Sequence, residues 1–265
     1  MSLPAVRPGH LTRPFAVALA TVFAIGGCRP TSTSIPHDGS RLRTIEAGTG
    51  ALPFVLIHGY GSSAEEWIPF TYTIRLPAGR RFVLPEGPET TKPPDGPRNG
   101  RAWWRIALDA HRRPGDGLPD LSRTNPPGLA ASNQRIRTLL AELAAKGGYP
   151  RERQMLAGYS QGGMIAADIA FTTDEPIDAL VLLSPTIVNE PAWRAGMSGR
   201  RGLRVFISHG RRDTILPFDA SVRLQQAMRD AGLRVTWLPF DGGHEMPVEV
   251  VTALNAFLAE TRAQH

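Results

Sequence analysis

The chain carries the pentapeptide GYSQG at residues 158–162, which fits the pattern G-x-S-x-G. A short apolar run at residues 154–157 precedes it and predicts a buried strand, and residues 163–170 have the composition of a helix. In a strand–turn–helix of this kind, the two glycines allow an abrupt turn that holds the serine between them in an exposed, strained position. The pattern alone arises by chance in many proteins, so its context matters. The stretch predicts an α/β fold that presents the hydroxyl of Ser160.

The composition is that of a globular protein. The 265 residues suffice for one large α/β domain, and 42% are apolar while 20% are charged. Lys92 and Lys146 are the two lysines, so arginine carries nearly all of the positive charge. The arginines are scattered along the chain, which favours a solvated surface over a nucleic-acid-binding face. We therefore expect no nucleic-acid partner.

The first segment has the features of an export signal. Basic residues up to Arg13 precede an apolar stretch at residues 14–25, which is followed by two glycines and Cys28. The apolar stretch is too short to span a bilayer comfortably as a permanent helix. We expect a signal peptide over residues 1–27, whose removal leaves 28 basic and 24 acidic residues and a formal charge of +4.

The end of this segment, IGGC at residues 25–28, is similar to a bacterial lipobox, in which the cysteine is lipidated and becomes the new N-terminus. Position 25 of that motif is more often leucine. The alternatives are an ordinary secretion signal with an incidental cysteine, or an uncleaved anchor. Cys28 is the only cysteine and can form no intramolecular disulfide, which favours lipidation and a membrane tether.

The rest of the chain divides into a flexible tether at residues 28–40 and a catalytic domain at residues 41–265. Strand-like apolar runs are expected at residues 41–46, 52–57, 81–84, 154–157, 179–183, 203–207 and 234–238. Helical patterns occupy residues 129–146, 163–170, 218–231 and 247–261. The alternation predicts a mainly parallel sheet flanked by helices. The Pro- and Gly-rich segments 85–100 and 112–128 remain unassigned, and each is a candidate to wall or cover the site.

A serine nucleophile needs a histidine base and a carboxylate that orients it. In this fold class the chain order is serine, acid, histidine, which leaves His209, His244 and His265 as candidate bases. We choose His244, since its glycine-rich loop follows the last strand and opens at the edge of the sheet where ligands bind.

The acid is expected at Asp213, which follows the strand at residues 203–207. Asp241 is the competitor near His244, although a turn or cap is its more usual role, and Asp219 is expected to begin the next helix.

The oxyanion of an acyl-transfer intermediate needs about two backbone N–H donors. One is expected from Gln161, directly after the nucleophile, and the second from Tyr60, in the loop after the first central strand. His58 precedes Ser160 in the chain, which favours a role in shaping that loop over a role as base.

These motifs together resemble the phospholipase/carboxylesterase group of α/β-hydrolases, which includes the acyl-protein thioesterases. The matching stretches are LIHGYG at 56–61 with Trp67, LPEGP at 84–88, AWW at 102–104, GYSQGG at 158–163, HGRRD at 209–213 with Pro217, and GH at 243–244. The resemblance implies an α/β-hydrolase fold, which is a three-layer sandwich. It also implies that Ser160, Asp213 and His244 are the catalytic residues and that the Tyr60 and Gln161 amides are the oxyanion donors. It also implies that Trp103 and Trp104 line the acyl pocket, with packing in the core as the alternative.

The expected function is that of a serine carboxylic-ester hydrolase that needs no metal or other cofactor and acts on a small-molecule or lipid ester. One alternative is a lysophospholipase or thioesterase acting on envelope lipids. Another is a non-catalytic surface lipoprotein that keeps the fold for binding. The exported N-terminus departs from the cytosolic thioesterases, and segment 105–128 does not align with the family. Substrate preference therefore does not carry over, and the sequence does not indicate the oligomeric state.

Overall fold

The computed structural model describes residues 32–92, 99–106 and 117–260. The strands are β1 Ser32–His37, β2 Leu42–Ala47, β3 Leu52–Ile57, β4 Arg80–Pro85, β5 Glu89–Thr90, β6 Arg101–Ala102, β7 Met155–Tyr159, β8 Ala179–Leu183, β9 Arg204–Gly210 and β10 Arg234–Phe240. The α-helices are α1 Leu129–Gly147, α2 Gln161–Thr172, α3 Glu190–Met197, α4 Phe218–Asp230 and α5 Val248–Glu260, with short 3-10 helices at Glu65–Tyr72, Arg151–Arg153 and Ser198–Arg200. The predicted signal peptide and Cys28 lie outside the described residues.

Eight of these strands form one sheet in the order β1-β2-β4-β3-β7-β8-β9-β10. Strand β2 runs antiparallel to both of its neighbours, and the other six strands of the sheet beyond it, β4, β3, β7, β8, β9 and β10, are mutually parallel. The carboxyl ends of β3, β7, β9 and β10 therefore open at the same edge of the sheet. The loops that carry the candidate site residues follow these four strands.

The sheet is buried on both faces, as its continuous apolar strands predict. In β3, Val55 and Ile57 join the core beneath α1, α2, α3 and α4, whereas Phe54 and Leu56 join the core beneath α5 and the 3-10 helix Glu65–Tyr72. Alternation of side chains along each strand produces this division. The result is the three-layer α/β sandwich that the sequence predicted.

The prediction of a flexible tether over residues 28–40 is wrong for the part that the structure describes. Ser32–His37 forms strand β1, which pairs with β2 along its whole length, from Ser32 opposite Ala47 to His37 opposite Leu42. An edge strand held by main-chain hydrogen bonds needs few apolar side chains. Its Ser- and Thr-rich composition therefore resembled a linker.

Several short elements were not predicted. Strand β5, in a segment left unassigned, pairs antiparallel with β6 just beyond that segment, helix α3 follows β8, and the three 3-10 helices include one at Glu65–Tyr72 that contains Pro69. Short elements of this kind carry too few residues to show a periodicity. Among the helices of the described ranges, none is long and apolar enough to cross a membrane.

Candidate active site

Ser160 lies at a sharp turn between β7 and α2, as the pentapeptide predicts, but it is buried rather than exposed. Its backbone has φ 52° and ψ −115°, a conformation that non-glycine residues adopt only under strain. A Cβ atom added at Gly158 would lie 2.1 Å from the carbonyl oxygen of Gly162, and one added at Gly162 would lie 2.1 Å from that of Ile57. Both glycines are therefore required by close backbone contacts, and the turn closes against β3.

Asp213 and His244 are brought together from the ends of β9 and β10. His244 Nδ1 lies 2.6 Å from Asp213 Oδ2, and the side chain of Asp213 is fully buried. The other carboxylate oxygen, Oδ1, accepts hydrogen bonds from the backbone N–H groups of Ile215 and Leu216 at 2.8 and 2.9 Å. The carboxylate is thus held in one orientation with one oxygen directed at the imidazole.

The charge of Asp213 is stabilised by its surroundings. Burial by itself would raise the pKa of this carboxyl, but hydrogen bonds from His209 and His244, with the attraction of both rings, outweigh burial and hold the pKa well below its usual range. Asp213 is therefore ionised throughout the neutral range. An ionised acceptor at Oδ2 requires the proton of His244 to be on Nδ1, which leaves Nε2 with a lone pair.

The two competing carboxylates lie elsewhere. Asp241 is exposed and pairs with Arg212, with 2.5 Å between Oδ1 and Nη1. Asp219 lies in the first turn of α4, the position expected from the sequence. Of the three candidates considered, Asp213 is the one that contacts His244.

Tyr159 links His244 to the turn that carries Ser160. Its hydroxyl donates a hydrogen bond to the backbone oxygen of His244 at 2.9 Å, and the two rings have centroids 5.0 Å apart. Because Tyr159 directly precedes Ser160, this contact joins the histidine loop to the serine turn. The sequence did not single out Tyr159, since a tyrosine at the variable position of G-x-S-x-G carries no signal of its partner.

The segments that carry the expected oxyanion donors meet at Ser160. A Cβ atom added at Gly59 would lie 3.2 Å from Cβ of Ser160, so the loop that continues into Tyr60 passes directly beside the serine. Gln161 is the first residue of α2, where the backbone N–H has no acceptor within the helix. The two amides thus belong to segments that meet at Ser160.

The side chain of Gln161 has a separate role that the sequence did not reveal. Its Oε1 accepts a hydrogen bond from the backbone N–H of Trp103 at 3.0 Å, and its Nε2 donates to the backbone oxygen of Trp104 at 2.9 Å. The indole N–H of Trp103 in turn donates to the backbone oxygen of His58 at 3.0 Å. The tryptophan segment and the loop before Tyr60 are therefore fastened to the start of α2.

Trp103 and Trp104 are both buried and belong to the core beneath α1 and α2. They also line a cavity of about 240 Å³ together with Pro88, Gly128 and Arg135. Core packing is thus observed for both residues. Ser160, Asp213 and His244 do not line this cavity, so a place for the two tryptophans in the acyl pocket stays a prediction.

His58 shapes the loop, as expected from its place in the chain. The backbone N–H of Gly87 donates to Nε2 at 2.9 Å, so Nε2 is an acceptor and the proton is on Nδ1, which lies 2.8 Å from the backbone oxygen of Gly59. Burial, reinforced by the Arg101 guanidinium, lowers the pKa of His58 to about 4. His58 is therefore neutral at physiological pH and bridges the loops after β3 and β4.

The described part of segment 112–128 lies beside the acid. The backbone N–H of Leu118 donates to the oxygen of Ile215 at 2.7 Å, two residues after Asp213. The segment thus borders the loop that holds the carboxylate. Within residues 32–92, 99–106 and 117–260 there is no cluster of three or more metal-ligating side chains.

The sequence matches a known protein family. The sequence profile of the phospholipase/carboxylesterase family covers residues 50–262, which includes every element from the second half of the β2–β3 turn to α5. This chain belongs to the phospholipase/carboxylesterase family. Members of the family are ester-hydrolysing serine hydrolases of the α/β-hydrolase fold.

Individual relatives of this phospholipase/carboxylesterase family member are distant. The chain is similar to the Bacillus subtilis protein MhqD, with 27% identity over 118 residues, which span 44% of this chain and 58% of MhqD. It is 22% identical to acyl-protein thioesterase 1 of Neurospora crassa over 77% of this chain and 81% of that protein. The crystal structure of esterase PE8 superposes with a TM-score of 0.64 at 23% identity, over 88% of this chain and all of that one. At these identities the likeness establishes the fold.

Proposed function

We propose that the protein is a serine carboxylic-ester hydrolase in which Ser160 is the nucleophile, His244 the base and Asp213 the acid. The proposal rests above all on the 2.6 Å contact between His244 and Asp213. Tyr159 joins that pair to the strained turn at Ser160. Family membership supports the reaction class, and the roles of the individual residues are our inference.

In the first half of the reaction, His244 Nε2 takes the proton of the Ser160 hydroxyl as the oxygen attacks the ester carbonyl. The carbonyl oxygen becomes an oxyanion, which accepts hydrogen bonds from the backbone N–H groups of Tyr60 and Gln161. Loss of one such donor typically lowers kcat by about 10²–10³-fold. The hydrogen bond from Nδ1–H to ionised Asp213 stabilises the imidazolium that forms at this stage.

The imidazolium then gives its proton to the leaving oxygen as the tetrahedral intermediate collapses, so that the alcohol departs and an acyl-enzyme remains on Ser160. Water then attacks the acyl carbonyl while His244 takes its proton, and collapse of the second tetrahedral intermediate returns the proton to Ser160. The products are an alcohol and a carboxylic acid, and the hydroxyl of Ser160 is regenerated. His244 carries the proton in each step, and the Tyr60 and Gln161 amides stabilise the oxyanion, so the proposed reaction needs no metal.

The alternative substrate class is an envelope lysophospholipid or a thioester, and the relative named acyl-protein thioesterase 1 supports the thioester. Hydrolysis rates for p-nitrophenyl esters of increasing acyl length, compared with those for a lysophospholipid and an acyl thioester, separate the possibilities. A steep preference for long acyl chains favours the lipid substrate, whereas a preference for short chains favours a general carboxylesterase.

We also propose that the enzyme works outside the cytoplasm, held to a membrane by lipidated Cys28. The basic and apolar residues before Cys28 and its place as the only cysteine support this location. Mass spectrometry of the mature protein is expected to find an acylated cysteine at the N-terminus. A mature chain that begins elsewhere and carries unmodified Cys28 would contradict lipidation.

The catalytic proposal is tested by Ser160→Ala, with Ser184→Ala as the matched control. Ser184 also has a positive φ, of 45°, and lies at the end of the adjacent strand β8. We expect Ser160→Ala to lower kcat by at least about 10⁴-fold while circular dichroism shows an intact fold. A fluorophosphonate should label the wild type and the control variant but not Ser160→Ala. Absence of labelling in the folded wild type would favour a non-catalytic binding protein.

A further inference from the structure

A second histidine donates to the acid of the proposed site. His209 is the next-to-last residue of β9, its side chain is completely buried, and its Nε2 lies 3.0 Å from Asp213 Oδ2. This is the same oxygen that accepts from His244 Nδ1. Together with the two backbone donors on Oδ1, the carboxylate therefore has four N–H groups within 3.0 Å, two at each oxygen.

The protonation of His209 at Nε2 follows from its neighbours. Nε2 faces two acceptors, Asp213 Oδ2 and the backbone oxygen of Leu216 at 3.2 Å, so this nitrogen carries a proton. On the other side of the ring, Nδ1 lies 2.7 Å from Ser221 Oγ, which is itself 2.9 Å from the backbone oxygen of Pro185. The Ser221 hydroxyl gives its proton either to Nδ1 or to Pro185, and in both cases the proton on Nε2 lies between the oxygens of Leu216 and Asp213.

We propose that His209 is a positioning residue that fixes the carboxylate of Asp213 through Nε2–H and shares its negative charge. The inference rests on the proposed function, because it assigns His209 a role toward the same acid. With the donor present, Oδ2 is held in place and Asp213 remains a weak base. Asp213 therefore orients His244 without taking its proton during the reaction.

The charged and titratable groups near His209 are few. Asp213 is in direct contact, and His244 lies beyond it on the same oxygen. The guanidinium of Arg211 lies 5.5 Å from the ring centroid of Phe218, which is 6.0 Å from that of His209. The Tyr159 hydroxyl is engaged with the backbone of His244. A change at His209 therefore acts on the reaction chiefly through Asp213.

Two substitutions at this position separate the two sides of the ring. In His209→Asn the side-chain amide lies near the position of Nδ1 and can contact Ser221 but not Asp213. In His209→Gln an amide N–H can reach the position of Nε2 and restore the donor. We expect kcat for a p-nitrophenyl ester to fall about 10- to 100-fold in the Asn variant, with KM changed by less than about 2-fold. The Gln variant should recover most of that loss.

The pH profile distinguishes positioning from a purely structural role. Without the Nε2–H donor, the charge of Asp213 is less shared and stabilises the protonated form of His244 more strongly. The acid limb of the kcat/KM profile should therefore move to a pH about 0.5–1 higher in His209→Asn and return toward the wild-type position in His209→Gln. Rates are referred to active sites counted by fluorophosphonate titration, so partial misfolding does not imitate the effect.

A measurement on the wild-type protein covers the case in which the variants fail to fold. ¹⁵N NMR of histidine-labelled protein at pH 8 should show a protonated Nε2 at His209, and an unprotonated Nε2 would overturn the inference. The role of His209 would also be refuted by a wild-type kcat and an unmoved acid limb in His209→Asn. If Ser160→Ala nevertheless lost activity, the proposed function would still stand. Retained activity in Ser160→Ala would instead refute the proposed function itself.

Discussion

The strained backbone at Ser160 predicts that glycine at this position gives a more stable protein than alanine does. Residues held in such regions of φ and ψ cost about 1–3 kcal/mol, and glycine adopts φ 52° without that penalty. Glycine also gives the unfolded chain more freedom, which costs about 0.5–1 kcal/mol. The difference leaves Ser160→Gly more stable than Ser160→Ala by about 1 kcal/mol.

Alanine is the right reference, because Ser160→Ala removes the hydroxyl while its Cβ keeps the strain. Both variants are expected to be inactive, so activity does not distinguish them. Ser198 provides the matched control, since it is exposed and has φ −60°. At that position glycine should be less stable than alanine by about 0.5–1 kcal/mol. The sign of the glycine-minus-alanine difference should therefore reverse between the two sites.

The assay is urea unfolding followed by circular dichroism, with the free energy of unfolding taken by linear extrapolation. A difference of about 1 kcal/mol corresponds to about 2–4 °C in the melting temperature for a domain of this size. If Ser160→Gly proved no more stable than Ser160→Ala, the turn would store no strain and the reasoning would be refuted.

Two further predictions follow from the loops around Ser160. Gly162→Ala should fail to accumulate as folded protein or should lower the free energy of unfolding by more than about 3 kcal/mol, because its Cβ would lie 2.1 Å from a backbone oxygen. The control Gly199→Ala has open space around the added atom and should show wild-type stability in urea unfolding. Because the pKa of His58 is lowered from 6.5 to about 4, its contribution to stability is complete above pH 6.5 and is lost as the pH falls through 4. Between pH 7 and pH 4 the free energy of unfolding of the wild type should fall by about 3 kcal/mol more than that of His58→Gln. Neighbouring Glu86, whose pKa is raised to about 7 by burial, titrates in both proteins, so its contribution cancels in this comparison. Equal losses in the two proteins would contradict this assignment.

The larger elements were readable from the sequence because they are long enough to show a period. Strand β8 was predicted with its observed bounds, and helix α1 was predicted to within one residue of its end at Gly147, after which Gly148 has φ 61°. Strand β1 was missed because its place in the sheet depends on main-chain pairing with β2 rather than on its own side chains. The short pair β5 and β6 was missed for the same reason.

The candidate site shows a similar division. We selected Ser160, Asp213 and His244 from their order in the sequence and from the position of each after a strand. Asp213 and His244 are in contact in the structure. The hydroxyl of Tyr159 and the side-chain amide of Gln161 were not predicted to hold the site together, since their partners lie 85 and about 60 residues away along the chain.

By itself the sequence determined the fold class, the family and the residues that stand at the carboxyl edge of the sheet, because hydrophobic periodicity and glycine at a tight turn are local properties. Tertiary structure alone decided which groups meet there. It brought the expected Asp213 into contact with His244, and it placed His209 against the same carboxylate oxygen. Hydrogen-bond partners are chosen by the packing of strands distant in sequence, and that choice is made only when the sheet assembles.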